Sequence, residues 1–369
     1  TGVPVGRAIV WQDTRTADLL ARFADRIGAA TIGDRTGLPM ANYFSAAKLR
    51  TPQPAWRLRA PRIGLYTSYL AESDEGWTRF VLETNEATLR KLTITGSGES
   101  HDADDTCLNI RGHGNLIENL HIADCLFGID LKQADHNIVR NSKVRSKDFE
   151  LGVRGDGIRL WYSHDNLIEN NLVTDTRDMV AWYSHRNIYR GNDGRRSRYS
   201  IHFMFAYDNI VENNRFYDNA VGIYFMYMEG GAARNNIISH ATGATGMGLG
   251  FKESSDILLE NNEIIYCAVG VGSDLSPFQP DTTIRFVNNR FAFNGIAIQL
   301  TSELGGNEMH GNTFEGNLTD VFQAGRGRAE GVKNKWEGNY FDTYQGFDRD
   351  EDGVGEAGLV LALLGREHP

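Results

Sequence analysis

The chain has 369 residues and a formal net charge of −10, an acidic balance that excludes a broad binding face for a nucleic-acid backbone. Hydrophobic residues make up 41%, enough for a sizeable core and too many for global disorder, and no apolar run reaches the length of a membrane-crossing helix. With 40 glycines and only 8 prolines, the chain reads as rich in tight turns and poor in linkers. The three cysteines, Cys107, Cys125 and Cys267, form no Cys-x-x-Cys pair and are expected to be small buried hydrophobes. The chain starts at Thr1 with no leader of its own, as expected of a mature form or a fragment.

Residues 1–86 form a mixed α/β segment in which Thr16 to Ile27 carries an amphipathic helical pattern (Leu19, Leu20, Phe23, Ile27). Ser73 is placed to cap a second helix with Trp77, Phe80 and Val81, and Pro52, Pro54 and Pro61 punctuate the stretch between. The run Arg7-Ala-Ile-Val-Trp-Gln-Asp13 with Arg35-Thr-Gly-Leu38 and Asn42-Tyr-Phe-Ser45 resembles glycerol kinase over residues 6–49, and the resemblance matches Tyr43 to a glycerol-contacting tyrosine. Nothing downstream supplies an ATP-binding half, so kinase activity is not expected. Pro61-Arg-Ile-Gly-Leu-Tyr66 with Asp74-Glu-Gly-Trp-Thr-Arg79 is similar to zinc-carboxypeptidase-like proteins over residues 61–83, without a zinc-ligand pattern. The segment reads as a mosaic that covers the first coil of the array behind it or stays partly disordered.

From Asn115 onward one phrase recurs: Gly-Asn-Leu-Ile-Glu-Asn (114–119), His-Asn-Ile-Val-Arg-Asn (136–141), Asp-Asn-Leu-Ile-Glu-Asn (165–170) and Asp-Asn-Ile-Val-Glu-Asn (208–213). The leading asparagines, Asn115, Asn137, Asn166, Asn187 and Asn209, are spaced 22, 29, 21 and 22 apart, the signature of a solenoid of about 22–24 residues per coil. Short alternating runs flank each phrase and predict strands. The fold class is therefore all-β, a right-handed parallel β-helix over residues 87–341, followed by an acidic tail over 342–369. Asparagine suits left-handed turn positions and can bond the next asparagine along the stack, so these residues are given no chemistry.

More specific strings accompany the repeat. They include Asp124-Cys-Leu-Phe-Gly-Ile-Asp-Leu-Lys132, Arg154-Gly-Asp-Gly-Ile-Arg-Leu-Trp-Tyr-Ser163, Ser200-Ile-His-Phe-Met-Phe205 and Val221-Gly-Ile-Tyr-Phe-Met-Tyr-Met228. With Gly243-Ala-Thr-Gly-Met-Gly-Leu-Gly-Phe-Lys252 and Trp336-Glu-Gly-Asn-Tyr-Phe341, residues 87–355 resemble the NosD family, periplasmic accessory proteins that help mature the copper sites of nitrous oxide reductase. The resemblance implies a non-enzymatic, periplasmic role that handles copper or docks partners. The partners it implies are nitrous oxide reductase, an ABC-type membrane transporter and a copper-donor lipoprotein.

Counting back from the asparagine anchors, Ile129, Leu131, Ile158, Leu160, Ile201 and Phe203 should point inward. The position five before each anchor should point outward and reads Lys132, Trp161, Trp182, Met204, Tyr227, Phe251. Such a stripe packs under a loop, meets a partner or lipid, or binds a ligand. For copper, His202 and Met204 share a face, and Met226, Met228 and Met247 lie on the next coils; thioether and imidazole both suit Cu(I). Asp348, Asp350 and Asp352 before Gly353 resemble part of a calcium loop or form a solvated acidic turn. The alternative class is a carbohydrate-active β-helix enzyme, a polysaccharide lyase, hydrolase or epimerase. Its candidate residues are His101, Asp102, Asp104 and Asp105, or Asp156 with Arg159 and His164, beside the sugar-stacking Trp161 and Trp182. No second carboxylate is evident beside Asp156, and two carboxylates sharing one groove would favour that class.

Overall fold

The computed structural model describes residues 80–82, 85–301, 305–323 and 334–346. The chain divides into two units, residues 1–78 and 79–369, and the described residues all belong to the second. The expected helix at 16–27, Tyr43, and the acidic string Asp348, Asp350 and Asp352 lie outside the described residues. The helix expected after Ser73 is corrected at its end: Phe80 and Val81 lie in the strand Phe80–Leu82, paired in parallel with Thr106–Ile110, so pairing with the first coil overrides the local helical spacing.

The described residues form three parallel sheets of eleven strands each, and the chain visits sheets A, B and C in turn on every coil. Sheet A starts at Phe80–Leu82 and runs through Thr106–Ile110, Phe127–Lys132, Ile158–Trp161, Asp178–Trp182, Tyr199–Met204, Val221–Met226 and Met247–Lys252, then through Val269–Asp274 and Ile296–Leu300 to Thr319–Gln323. This is the all-β parallel β-helix that the repeat predicts. Alternation puts one residue in two inside: Ile129, Leu131, Ile158, Leu160, Ile201 and Phe203 are fully buried. Each inward side chain meets its counterpart one coil on, as in the stacked rings of Phe203, Phe225 and Phe251, with centroids 5.4 Å apart.

The asparagines form ladders. The side-chain oxygen of Asn137 accepts from the backbone and side-chain amides of Asn115, and the pattern continues through Asn166, Asn187 and Asn209. A second ladder runs from Asn171 through Asn192, Asn214, Asn236, Asn262, Asn289 and Asn312 to Asn339. The left-handed turn falls on the residue before each ladder position, for example Asp165 (φ 55°) and Asn170 (φ 54°), so turn and ladder are divided between neighbours. Ladder steps range from 21 to 29 residues, because some coils carry insertions such as the 3-10 turn Leu151–Val153.

One expectation is corrected. Cys107 and Cys125 are not free: they form a disulfide across the first coils, inside the core. An odd cysteine count hides a single pair, because the leftover, Cys267, is buried and free. Burial pushes the Cys267 thiol up to about 11, so it stays protonated.

Candidate functional site on the outer face of sheet A

Three outward columns cross the coils of sheet A. The first reads Lys132, Trp161, Trp182, Met204, Met226, Lys252 and Asp274, each the register partner of the next. The second reads Asp130, Arg159, Val180, His202, Tyr224, Gly250 and Gly272. The third passes through Asp178, Tyr199, Val221 and Met247.

These registers change two stripe positions. Phe251 is not outward: it stacks in the core. Tyr227 sits in the turn after the strand, at φ 53°, and Met226 takes the stripe position. The cause is the loss of the ladder asparagine on two coils, where Gly231 and Ile257 align with Asn209. The apparent anchors at Ala232 and Asp256 are therefore one residue late and one early, and a slip of one residue turns a strand's faces over.

Of the candidate copper ligands, Met204 and Met226 are direct register partners, both half-buried on the outer face. His202 shares that face but is covered: neither ring nitrogen has a hydrogen-bond partner or reaches solvent. Its Nδ1 lies 3.6 Å from Asp178 Oδ2, and its ring packs on Tyr199 at 4.8 Å and Tyr224 at 6.1 Å between centroids. Met228 is buried in the core and faces away from this surface. Met247 lies two coils from His202, over Gly250 and Gly272; a Cβ at Gly250 would stand 2.4 Å from the Tyr224 ring and 2.8 Å from the Met247 sulfur. Glycine is thus required there by close approach.

The N-terminal part of the face is a charge network. Arg159 bridges Asp130, at 2.9 Å, and Asp104, at 3.0 Å, and Lys132 reaches Asp104 at 2.6 Å. Asp156 is held by both ends of Arg177, at 3.0 and 3.1 Å, and Asp178 by Arg198. A second carboxylate is therefore near Asp156 after all, on the next coil. Burial and the Asp178 charge raise the Asp156 carboxyl above its ordinary value despite Arg177. For Asp178, burial pulls upward, but His202 and Arg198 outweigh it and the carboxyl lies below the usual range. Burial also pushes the Tyr224 phenol up to about 12. Among the described residues, no three His, Cys, Asp or Glu side chains are grouped to hold a metal ion.

Beside the first column runs a feature missed in the sequence. Tyr162, Tyr183, Phe205 and Tyr227 stack with centroids 4.9, 5.2 and 4.7 Å apart, all with left-handed backbone. The signal was available, since each residue directly follows a strand end, but an aromatic at positive φ is not anticipated. Next to it, His164 and His185 stack at 4.8 Å, and each Nδ1 accepts a backbone N–H from the following coil.

Comparisons with known proteins fit this architecture. The matches to glycerol kinases are short: 54% identity over 50 residues to that of Rhizorhabdus wittichii and 53% over 49 to that of Azorhizobium caulinodans, in each case 10% of the kinase and 14% or 13% of this chain. The chain thus spans about a tenth of the length of those curated relatives. The solved A-module of mannuronan C-5 epimerase AlgE6 from Azotobacter vinelandii superposes with a TM-score of 0.52 at 13% identity, covering 71% of this chain and 78% of the module. A GH87 α-1,3-glucanase catalytic domain bound to tetrasaccharides gives 0.49 at 11%, covering 72% and 62%. At such identities the likeness to the epimerase is one of fold. A right-handed β-helix family matches residues 80–193, and the family of periplasmic copper-binding protein NosD matches residues 142–346. That second span is more than half of the chain and encloses every outward methionine of sheet A, and the chain belongs to the NosD family.

Proposed function

We propose that the chain is a non-enzymatic periplasmic accessory protein that handles copper for the maturation of nitrous oxide reductase. Its partners on this reading are the reductase, an ABC-type membrane transporter and a copper-donor lipoprotein. The observation that carries the reading is the Met204–Met226 pair, two neutral thioethers in register on the outer face, inside the stretch matched to a copper-binding family. Soft, uncharged sulfur favours Cu(I) over harder divalent ions. Neighbouring parallel strands lie about 4.8 Å apart, close to twice a metal–sulfur bond of about 2.3 Å. Two stacked thioethers can therefore hold one ion between them, weakly enough to pass it on. His202 is the third donor, available once the Tyr199 and Tyr224 rings shift.

The disulfide supports the compartment, since such bonds persist in oxidising surroundings like the periplasm. Anaerobic Cu(I) titration against a competing chelator tests the reading: Met204→Leu and Met226→Leu keep size and apolarity and should each weaken binding.

A second reading, a polysaccharide-active enzyme, is favoured by one observation, the neighbouring buried carboxylates Asp156 and Asp178 beside His202. Each carboxylate is held by its own arginine, which leaves neither free to abstract or deliver a proton. Absence of cleavage or epimerisation of polyuronides by the purified chain is the expected result.

A further inference from the structure

The copper reading leaves open what surrounds an ion between two thioethers. Neutral ligands do not cancel its charge, so a Cu(I) ion on Met204 and Met226 keeps its full positive charge on a half-buried surface. The register places a different neighbour on each side of the pair. Trp182 is the partner of Met204 on the preceding coil, and Lys252 is the partner of Met226 on the following one. Trp182 packs against Trp161 on its other side, with centroids 5.3 Å apart and planes tilted by 33°. One face of the Trp182 indole is thereby covered, and Met204 stands on the coil to its other side.

We propose that Trp182 forms the aromatic wall of the copper site, its free indole face capping a Cu(I) ion held by the Met204 and Met226 sulfurs. The proposal rests on the copper-handling reading and adds to it a residue with no lone pair to donate. Indole is the strongest of the side-chain π-faces for a cation, and the attraction grows where water is excluded. Trp161 backs the ring and holds it in place. Lys252 acts in the opposite sense: its ammonium repels an ion on Met226 and biases it toward the tryptophan, which keeps the site weak enough to unload.

The test uses the full chain, anaerobic Cu(I) and a competing chelator, with indole emission read alongside. Trp182→Leu should weaken Cu(I) binding about tenfold and Trp182→Phe by less, the order of π-face strength. Cu(I) should quench emission in the wild-type chain and in Trp161→Phe, and the quenching should shrink in Trp182→Phe. Lys252→Met should tighten binding. Circular dichroism on each variant reports whether the array is intact, and Trp182→Phe is the variant that keeps ring packing. If Met204→Leu and Met226→Leu weaken binding but Trp182→Leu does not, the aromatic wall is overturned while the thioether pair stands. If the methionine variants bind as tightly as wild type, the copper-handling reading fails at this site, and the wall with it.

Discussion

His202 is the least settled residue on the outer face. Most buried polar groups in the coils are bonded in a ladder or an ion pair, yet both of its ring nitrogens are without a hydrogen bond. An unsatisfied buried group costs about 1–3 kcal/mol, and replacing it by an apolar group of similar shape can be neutral or stabilising. His202→Phe relieves that cost but removes one of the two side-chain partners of the Asp178 carboxylate, so thermal stability should change little while Cu(I) affinity falls; a large loss of stability would make the imidazole structural. Asp178 carries a pH signature. Its carboxyl is held below 3.8 in the folded chain, so its stabilisation is full above that value and is lost as pH falls through the lowered one. Asp178→Asn should cost roughly 3 kcal/mol at neutral pH, the low end for breaking a buried pair, since Arg198 keeps solvent contact. Denaturant titrations of wild type and variant should differ at neutral pH and converge only as pH falls through that lowered value.

At the scale of the strand and its turns, the ladders fix the register and the register decides which side chains face out. Asn192 accepts from both amides of Asn171 and donates to the Ile168 carbonyl. Asn192→Ala strands those groups inside the turn and should cost about 2–4 kcal/mol in denaturant unfolding, far more than an exposed asparagine would. The same dependence shows how much could be read from the sequence. Where Asn115 to Asn209 mark the coils, the inward positions and the outward Trp161, Trp182 and Met204 follow from counting. Where Gly231 and Ile257 stand in the ladder, the count slips by one, so Met226 and Lys252 were hidden behind Tyr227 and Phe251. The disulfide and the cover over His202 depend on which distant side chains meet, and spacing within the chain does not carry that information.

Across the whole molecule, each coil buries its apolar edge only against its neighbours, so stability is shared along the array. Leu160, fully buried between the coils of Leu131 and Ala181, is a point where this can be probed. Leu160→Asp buries an unpaired charge and should unfold much of the array in one transition; loss of protection confined to one coil in hydrogen exchange would contradict that. Phe80–Leu82 is already the first strand of sheet A; a chain starting at Ala87 loses it and is still expected to fold through the remaining coils, with no glycerol phosphorylation by either form. The central claim is that the outer face of sheet A handles copper through the Met204–Met226 pair. Anaerobic Cu(I) titration of the wild-type chain and the Met204→Leu, Met226→Leu double variant tests it most directly. The account predicts one exchangeable Cu(I) per wild-type chain and its loss in the variant, with Zn(II) behaviour and folding unchanged; equal Cu(I) affinity in the two proteins would contradict it.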